Sequence, residues 1–186
     1  MTIAVLAVQG AFIEHEKICK SLGATCIELR QREDVSLPFD GLILHGGEST
    51  AQGKLLKELE MFEPLRKKIA DGLPVLATCA GLILLAENVD NDERIWFRTL
   101  PVSVRRNAYG RQLGSFHTEA VFGDLGAVPM TFIRAPYIQS VTPCVEILST
   151  VDEHIVGARY NAQLALSFHP ELDGDTCIHE LFLHML

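Results

Sequence analysis

In the first half of the chain, short unbroken apolar runs alternate with longer stretches in which apolar residues recur every three or four positions. Residues 3–8 form one such run, ending near Gly10; 25–29, 41–44 and 74–77 form three more. A run that is apolar at every position predicts a strand buried on both faces, and hence a parallel sheet covered by helices. Between the runs, Phe12, Ile13, Glu16, Cys19 and Leu22 keep helical spacing and Gly23 closes the segment, predicting a helix over 12–22. Ser49 and Thr50 can cap a helix starting near Ala51. Pro64, a favoured first position, opens another that stops at Gly72. Residues 80–87 leave the fourth strand directly as a helical run.

The second half changes style. Residues 102–105, 115–121, 131–134, 145–151, 155–160 and 163–168 read as short strands separated by turn residues. Residues 152–154 and 161–162 have the composition of hairpin turns. The last strand runs into His169-Pro170-Glu171, and a short C-terminal helix follows, capped by Asp173 or Asp175. The expectation is one α/β domain over residues 1–186: a three-layer, doubly wound, mostly parallel sheet of flavodoxin type with an antiparallel extension.

Size and charge narrow the function classes. A chain of 186 residues can bury roughly 70% of its unfolded surface, so it needs no disulfide or metal to fold. The net charge of −8 argues against a nucleic-acid partner, which requires concentrated positive charge. No basic stretch precedes the first apolar run, and no run approaches the roughly 18 residues that cross a bilayer, so no membrane partner is expected. The five cysteines, at 19, 26, 79, 144 and 177, are odd in number, scattered and without C-x-x-C pairs, which points to a reducing cytoplasm. No metal site is expected. Cys177-x-His179 lies on one short helix, where residues two apart face different ways, and His15, His117, His154 and His184 form no visible cluster.

Three segments carry candidate chemistry. In Ala77-Thr78-Cys79-Ala80-Gly81 a buried strand meets a helix with no loop between, the arrangement of a nucleophile elbow. Small residues two before and two after the nucleophile let the two backbones close on each other, and a helix N-terminus favours thiolate over thiol. Taken alone, Cys79 is equally well a small buried hydrophobe. His169 closes the last strand, and Pro170 restricts it to an extended conformation. The side chains of His169 and Glu171 should then leave the backbone on the same side, one ring nitrogen held by the carboxylate and the other free for a thiol. Finally, His45-Gly46-Gly47-Glu48-Ser49-Thr50 follows the third strand. Its glycines can aim a backbone N–H at a ligand, so Gly47 and Ala80 are candidates for an oxyanion hole. The G-x-x-x-x-G-K pattern of a phosphate loop is absent.

Together these segments resemble the class I glutamine amidotransferases. The resemblance narrows, over essentially the whole chain from about residue 3, to the glutaminase subunits of pyridoxal 5′-phosphate synthase. It is carried by Leu6-Ala7-Val8-Gln9-Gly10-Ala11, Gly46-Gly47-Glu48-Ser49-Thr50, Thr78-Cys79-Ala80-Gly81, Arg106-Asn107-Ala108-Tyr109-Gly110-Arg111-Gln112, Phe132-Ile133-Arg134-Ala135-Pro136 and Ser167-Phe168-His169-Pro170-Glu171-Leu172. It implies a Cys79–His169–Glu171 triad that hydrolyses L-glutamine, and a glutamine site formed by Gly47, Glu48, Ser49, Arg106, Ile133 and Arg134. The resemblance also implies that Gln9 supports the oxyanion loop and the partner interface, that the chain holds no cofactor, and that ammonia passes to a (β/α)8-barrel synthase subunit. An arginine suits the glutamine site because its planar fork pairs with an α-carboxylate. Three positions depart from the family pattern: His45 replaces a proline, Ala77 a glycine, and Leu113-Gly114 a Val-Asp pair. Two other readings remain at this stage. The same chemistry could feed another acceptor, as in imidazole glycerol phosphate synthase, or the sheet could serve a non-catalytic binding or redox-sensing protein.

Overall fold

A computed structural model describes residues 1–106 and 114–186. The elements in chain order are β1 (Thr2–Leu6), α1 (Phe12–Ser21), β2 (Thr25–Leu29), β3 (Gly41–Leu44), α2 (Ser49–Glu58), α3 (Phe62–Ala70), β4 (Val75–Thr78), α4 (Ala80–Leu85) and β5 (Ala86–Val89). They continue with β6 (Leu100–Arg105), β7 (Ser115–Val121), β8 (Ala127–Ile133), β9 (Tyr137–Val141), β10 (Glu146–Val151), β11 (His154–Tyr160), β12 (Gln163–Leu166) and α5 (Cys177–Leu183).

The large sheet runs β2-β1-β3-β4-β12-β11-β9-β6-β5, with β10 paired to β11. From β2 to β12 every pairing is parallel. The β12–β11, β11–β9 and β9–β6 pairings are antiparallel. Period-2 alternation explains how apolar runs fill two cores. Ile3, Val5, Ile43, Leu76, Leu164 and Leu166 pack with Cys19 of α1 and Ile178 and Phe182 of α5. Their neighbours Ala4, Leu6, Leu42, Leu44, Val75 and Ala77 pack with Leu56, Leu65, Ile69 and Leu82 of α2, α3 and α4. Helices therefore cover both faces, giving the three layers.

Hairpin β7–β8 forms a separate two-stranded sheet and alternates as a one-sided sheet should: Val128, Met130 and Phe132 face the core while Val121 is exposed. Its β8 edge is tied to the main sheet where the His169 N–H donates to the Thr131 carbonyl at 2.8 Å. Asp152 and Glu153 both have positive φ, and β11 meets β12 across Asn161-Ala162, so both predicted hairpin turns form.

Several expectations are corrected. Residues 86–89 are strand β5 rather than the end of a helix, because pairing with β6 outweighs the helical preference of Ala86 and Glu87. Strand β9 was not expected, and β8 begins at Ala127 rather than 131. Helix α2 is capped not by Ser49 or Thr50 but by Glu48, whose carboxylate accepts from the N–H groups of Thr50 and Ala51 at 3.1 and 2.7 Å. At α5 the Asp175 carboxylate accepts from the Cys177 N–H at 2.7 Å. No helix among the described residues is long and apolar enough to cross a membrane.

Candidate active site

The loops after β1, β3, β4 and β12 emerge at the C-terminal edge of the parallel strands, where doubly wound sheets bind ligands. They border a cleft of about 580 Å³. A second cavity of about 440 Å³, between α3 and the start of β12, holds Arg66, Lys67 and Arg98 but no thiol or imidazole.

Between β4 and α4 stands a single residue, Cys79, with φ 48° and ψ −97°. A side chain with a Cβ is strained there by roughly 1–3 kcal/mol. The strain follows from how tightly α4 lies on β3: a Cβ on Gly81 would sit 1.9 Å from the Leu44 carbonyl oxygen. No loop fits, and the turn is made in one residue. The Cys79 N–H donates to the Leu166 carbonyl at 2.8 Å, binding the elbow to β12.

Three residues past the end of β12, His169 turns its ring into the cleft, and its Nδ1 lies 2.7 Å from Glu171 Oε1. The pair does not form as expected from an extended strand: Pro170–Leu172 is a 3-10 turn, which folds Glu171 back under the ring. The ring packs closely on Gly46, where a Cβ would lie 2.3 Å from His169 Cε1. Burial opposes a charged ring, but hydrogen bonding to Cys79 and then to Glu171 outweighs it and lifts His169 to about 10. Burial likewise opposes ionisation of Glu171, but His15 and His169 hold its carboxyl below the usual carboxylate range.

The loop after β3 is fastened from behind. Gly47 has φ 150°, and a Cβ there would meet Gln9 Oε1 at 2.8 Å. The same oxygen accepts from the Glu48 N–H at 3.0 Å, and Gln52 Nε2 donates to the Gln9 carbonyl at 3.0 Å. Ala80 is buried as the first residue of α4. His45 is buried, donates from Nδ1 to the Gly46 carbonyl and packs 6.0 Å from the Phe12 ring; burial lowers its pKa. Neither this departure nor Ala77, wholly buried on β4, removes a group from the cleft.

Arg106 enters from the end of β6. It pairs with Glu48 at 3.0 Å and with Asp92, and Asp92 is in turn gripped by Arg94 at 2.7 Å. Hydrogen bonds from Arg94 are the largest cause holding Asp92 well below its ordinary pKa. Ile133 and Arg134 reach the cleft from the end of β8, Arg134 with φ 43° and its N–H donating to the Gly114 carbonyl. Gln9, Gly47, Glu48, Ser49, Cys79, Arg106, Ile133, Arg134, His169 and Glu171 thus line one cleft. The stretch 107–112 and the departure at Leu113 lie outside the described residues.

Sequence reasoning missed Asp92, and was wrong to leave His15 without a partner. His15 Nε2 lies 3.3 Å from Glu171 Oε2 and its Nδ1 lies 2.9 Å from His179 Nε2. His117 also has partners, 3.0 Å from Thr131 Oγ1 and 3.4 Å from Asp173. His179 is a buried partner rather than an isolated residue of a Cys-x-His pair. Among the described residues, no group of three or more His, Cys, Asp or Glu side chains is arranged to hold a metal ion.

Comparison with known proteins bears on this site directly. Residues 5–186 match the model of the SNO glutamine amidotransferase family. The chain is 68% identical over 183 residues to the pyridoxal 5′-phosphate synthase subunit PdxT of Desulfitobacterium hafniense (strain DSM 10664 / DCB-2), covering 98% of this chain and 92% of that one. It is 50% identical over 188 residues to the PdxT subunit of Streptococcus pneumoniae (strain CGSP14), covering 100% and 97%. A crystal structure of a glutamine amidotransferase superposes with a TM-score of 0.93 at 38% identity, covering 98% of this chain and 97% of the other. An α/β sheet with a strained cysteine elbow facing a carboxylate-held histidine is thus joined to a family match along nearly its whole length, and the chain belongs to the SNO glutamine amidotransferase family.

Proposed function

We propose that this chain is the glutaminase subunit of a pyridoxal 5′-phosphate synthase, releasing ammonia from L-glutamine for a (β/α)8-barrel synthase subunit in the cytoplasm. The observation that carries the reading is geometric: Cys79 on its strained elbow and His169, 2.7 Å from the Glu171 carboxylate, line one cleft. The Cys79 thiolate attacks the side-chain amide carbon, and the carbonyl electron pair moves onto oxygen. The N–H groups of Gly47 and Ala80 receive that oxyanion; one such donor contributes about 3–4 kcal/mol to the transition state. As the carbonyl re-forms, the C–N bond breaks and His169 gives its proton to the leaving nitrogen. Neutral His169 then takes a proton from water, the hydroxide adds to the thioester, and the C–S bond breaks. The thiolate–imidazolium pair is restored and glutamate leaves, its new carboxyl ionising. Around the reaction, Arg106 pairs with the α-carboxylate and Glu48 with the α-ammonium of glutamine. Ser49, Ile133 and Arg134 close the pocket, and Gln9 supports the oxyanion loop. Handing the ammonia to a partner has a physical reason: in bulk water near neutral pH it would be protonated and lost as a nucleophile.

The test is glutamate release by the chain with and without the barrel subunit, in wild type and Cys79→Ala. Release that the barrel subunit stimulates, absent in Cys79→Ala although the variant still binds that subunit, is expected. Wild type inert with the barrel subunit present, or turnover by Cys79→Ala, would overturn the reading.

A further inference from the structure

Behind the triad lies a second layer of imidazoles that the reaction above does not use. His15 from α1 and His179 from α5 are fully buried. Glu171 stands between them and His169, its two oxygens facing different rings: Oε1 lies 2.7 Å from His169 Nδ1 and Oε2 lies 3.3 Å from His15 Nε2. The second contact is long, yet neither of its atoms has a hydrogen-bond partner elsewhere among the described residues. His15 Nδ1 then meets His179 Nε2 at 2.9 Å, and His179 Nδ1 ends the row without a partner.

The tautomers of this row follow from the end that has no partner. Burial is the largest cause keeping His179 neutral, lowering its pKa to about 3. A neutral ring has one N–H, and an orphaned buried N–H is rarer and costlier than an orphaned lone pair. The hydrogen of His179 therefore sits on Nε2 and is donated to His15 Nδ1. That leaves His15 its own hydrogen on Nε2, aimed at Glu171 Oε2. Glu171 thus accepts from one ring on each oxygen, and His169 keeps its Nδ1 hydrogen toward Glu171 and its Nε2 toward Cys79. The donors converge on Glu171, from His179 through His15 on one side and from His169 on the other. His45, the other imidazole near His15, is held neutral by burial and donates to the Gly46 carbonyl instead.

Stability alone does not explain these residues. Apolar side chains at the α1–α5 contact would fill the same space without the desolvation cost of two imidazoles and a carboxylate. We propose that His15 and His179 are positioning residues of the glutaminase reaction: they donate in series to the outer oxygen of Glu171, fix that carboxylate in the orientation that holds His169, and extend the triad into a five-residue row from Cys79 to His179. The proposal rests on the glutaminase reading. It predicts that the turnover step, and not glutamine binding, depends on a hydrogen-bond donor at position 15.

The test compares His15→Gln with His15→Met, side chains of nearly equal length of which only glutamine carries a donor. Glutamate release is measured with the barrel subunit present, and alkylation of the Cys79 peptide is followed against pH by mass spectrometry without glutamine or partner. His15→Met should lower kcat roughly 10- to 100-fold with KM for glutamine changed less than about threefold, the range left by an orphaned buried acceptor. His15→Gln should recover to within about fivefold of wild type. In His15→Met the Glu171 carboxylate loses a stabilising donor and becomes easier to protonate, so the acid limb of Cys79 alkylation should move to higher pH; in His15→Gln it should stay. Equal kcat values and equal alkylation profiles in the two variants would overturn the proposal. Should His15→Met not unfold cooperatively, His179→Leu decides, because it leaves His15 in place and removes only the donor to its Nδ1. A kcat drop with KM retained supports the row, and a wild-type kcat overturns it. Absence of glutamate release by the wild type would instead sink the glutaminase reading.

Discussion

On one wall of the cleft the groups are placed by backbone. Cys79 sits where Gly81 lets α4 lie against Leu44, and His169 rests on Gly46 over a 3-10 turn. On the other wall they are placed by charge. Arg106 is 18% exposed and is aimed by Asp92, itself clamped by Arg94, and by the half-exposed Glu48. Close-packed backbone cannot adjust by fractions of an ångström without cost, whereas ion pairs near solvent rearrange for about 1 kcal/mol or less. Bond making needs the first kind of support, because a displacement of about 1 Å can cost 10²-fold in rate. Recognising a small zwitterion tolerates the second. Changes on the first wall should therefore appear in kcat, and changes on the second in KM.

The largest effect tests the nucleophile. Cys79→Ala should reduce glutamate release at least about 10⁴-fold, the scale on which removing a nucleophile acts, while thermal unfolding stays cooperative. Gly46→Ala comes next. Its methyl would come within 2.3 Å of His169 Cε1 and push the ring aside, so kcat should fall by about 10²-fold, read from steady-state rates with the barrel subunit present. A variant that changed only KM would break the comparison between the walls.

On the charged wall, Arg106→Lys should raise KM for glutamine by about tenfold through loss of the planar fork, with kcat within about threefold of wild type. Asp92→Asn should raise KM by only a few-fold, since Glu48 still holds Arg106. The smallest effect is on stability against pH. His169 is raised from 6.5 to about 10, so its contribution is complete below pH 6.5 and is lost as pH climbs toward 10. Glu171 is shifted the other way, and its contribution is present above 4.5 and lost as pH falls below that. Tm followed from pH 6.5 to 10 should decline in the wild type and decline less in His169→Asn; parallel curves would show that the ring is not held charged.

The backbone wall was the more legible one in the sequence. The apolar runs at 41–44 and 74–77 are strands, and a cysteine with no loop on either side can only be an elbow once α4 exists. His169 and Glu171 stood out because they are neighbours. The rest depends on contacts distant in sequence. His15 lies in an otherwise ordinary amphipathic helix, and nothing within seven residues marks it as buried; it is buried because α1, α5 and the 170–172 turn converge, across 164 residues in the case of His179. Asp92 follows β5, a strand hidden by residues of good helical propensity, so its approach to Arg106 could not be read before the pairing of β5 with β6 was known. Glu48 was identified for the ligand and also serves as the cap of α2, a double use that no spacing rule announces.

That double use has a consequence for how substrate comes and goes. With the pocket empty, Glu48 and Arg106 already satisfy each other at 3.0 Å. In the proposed binding mode an arriving amino acid, which carries the same two charges on its own α-carbon, does not meet bare ions but trades places with an existing pair. Such an exchange leaves the number of ionic contacts almost unchanged, so part of the affinity these contacts supply is offset by the pair given up. Glutamate bears the identical backbone, so in that mode Arg106 and Glu48 do not tell it from glutamine, and selectivity between them falls to the side-chain end.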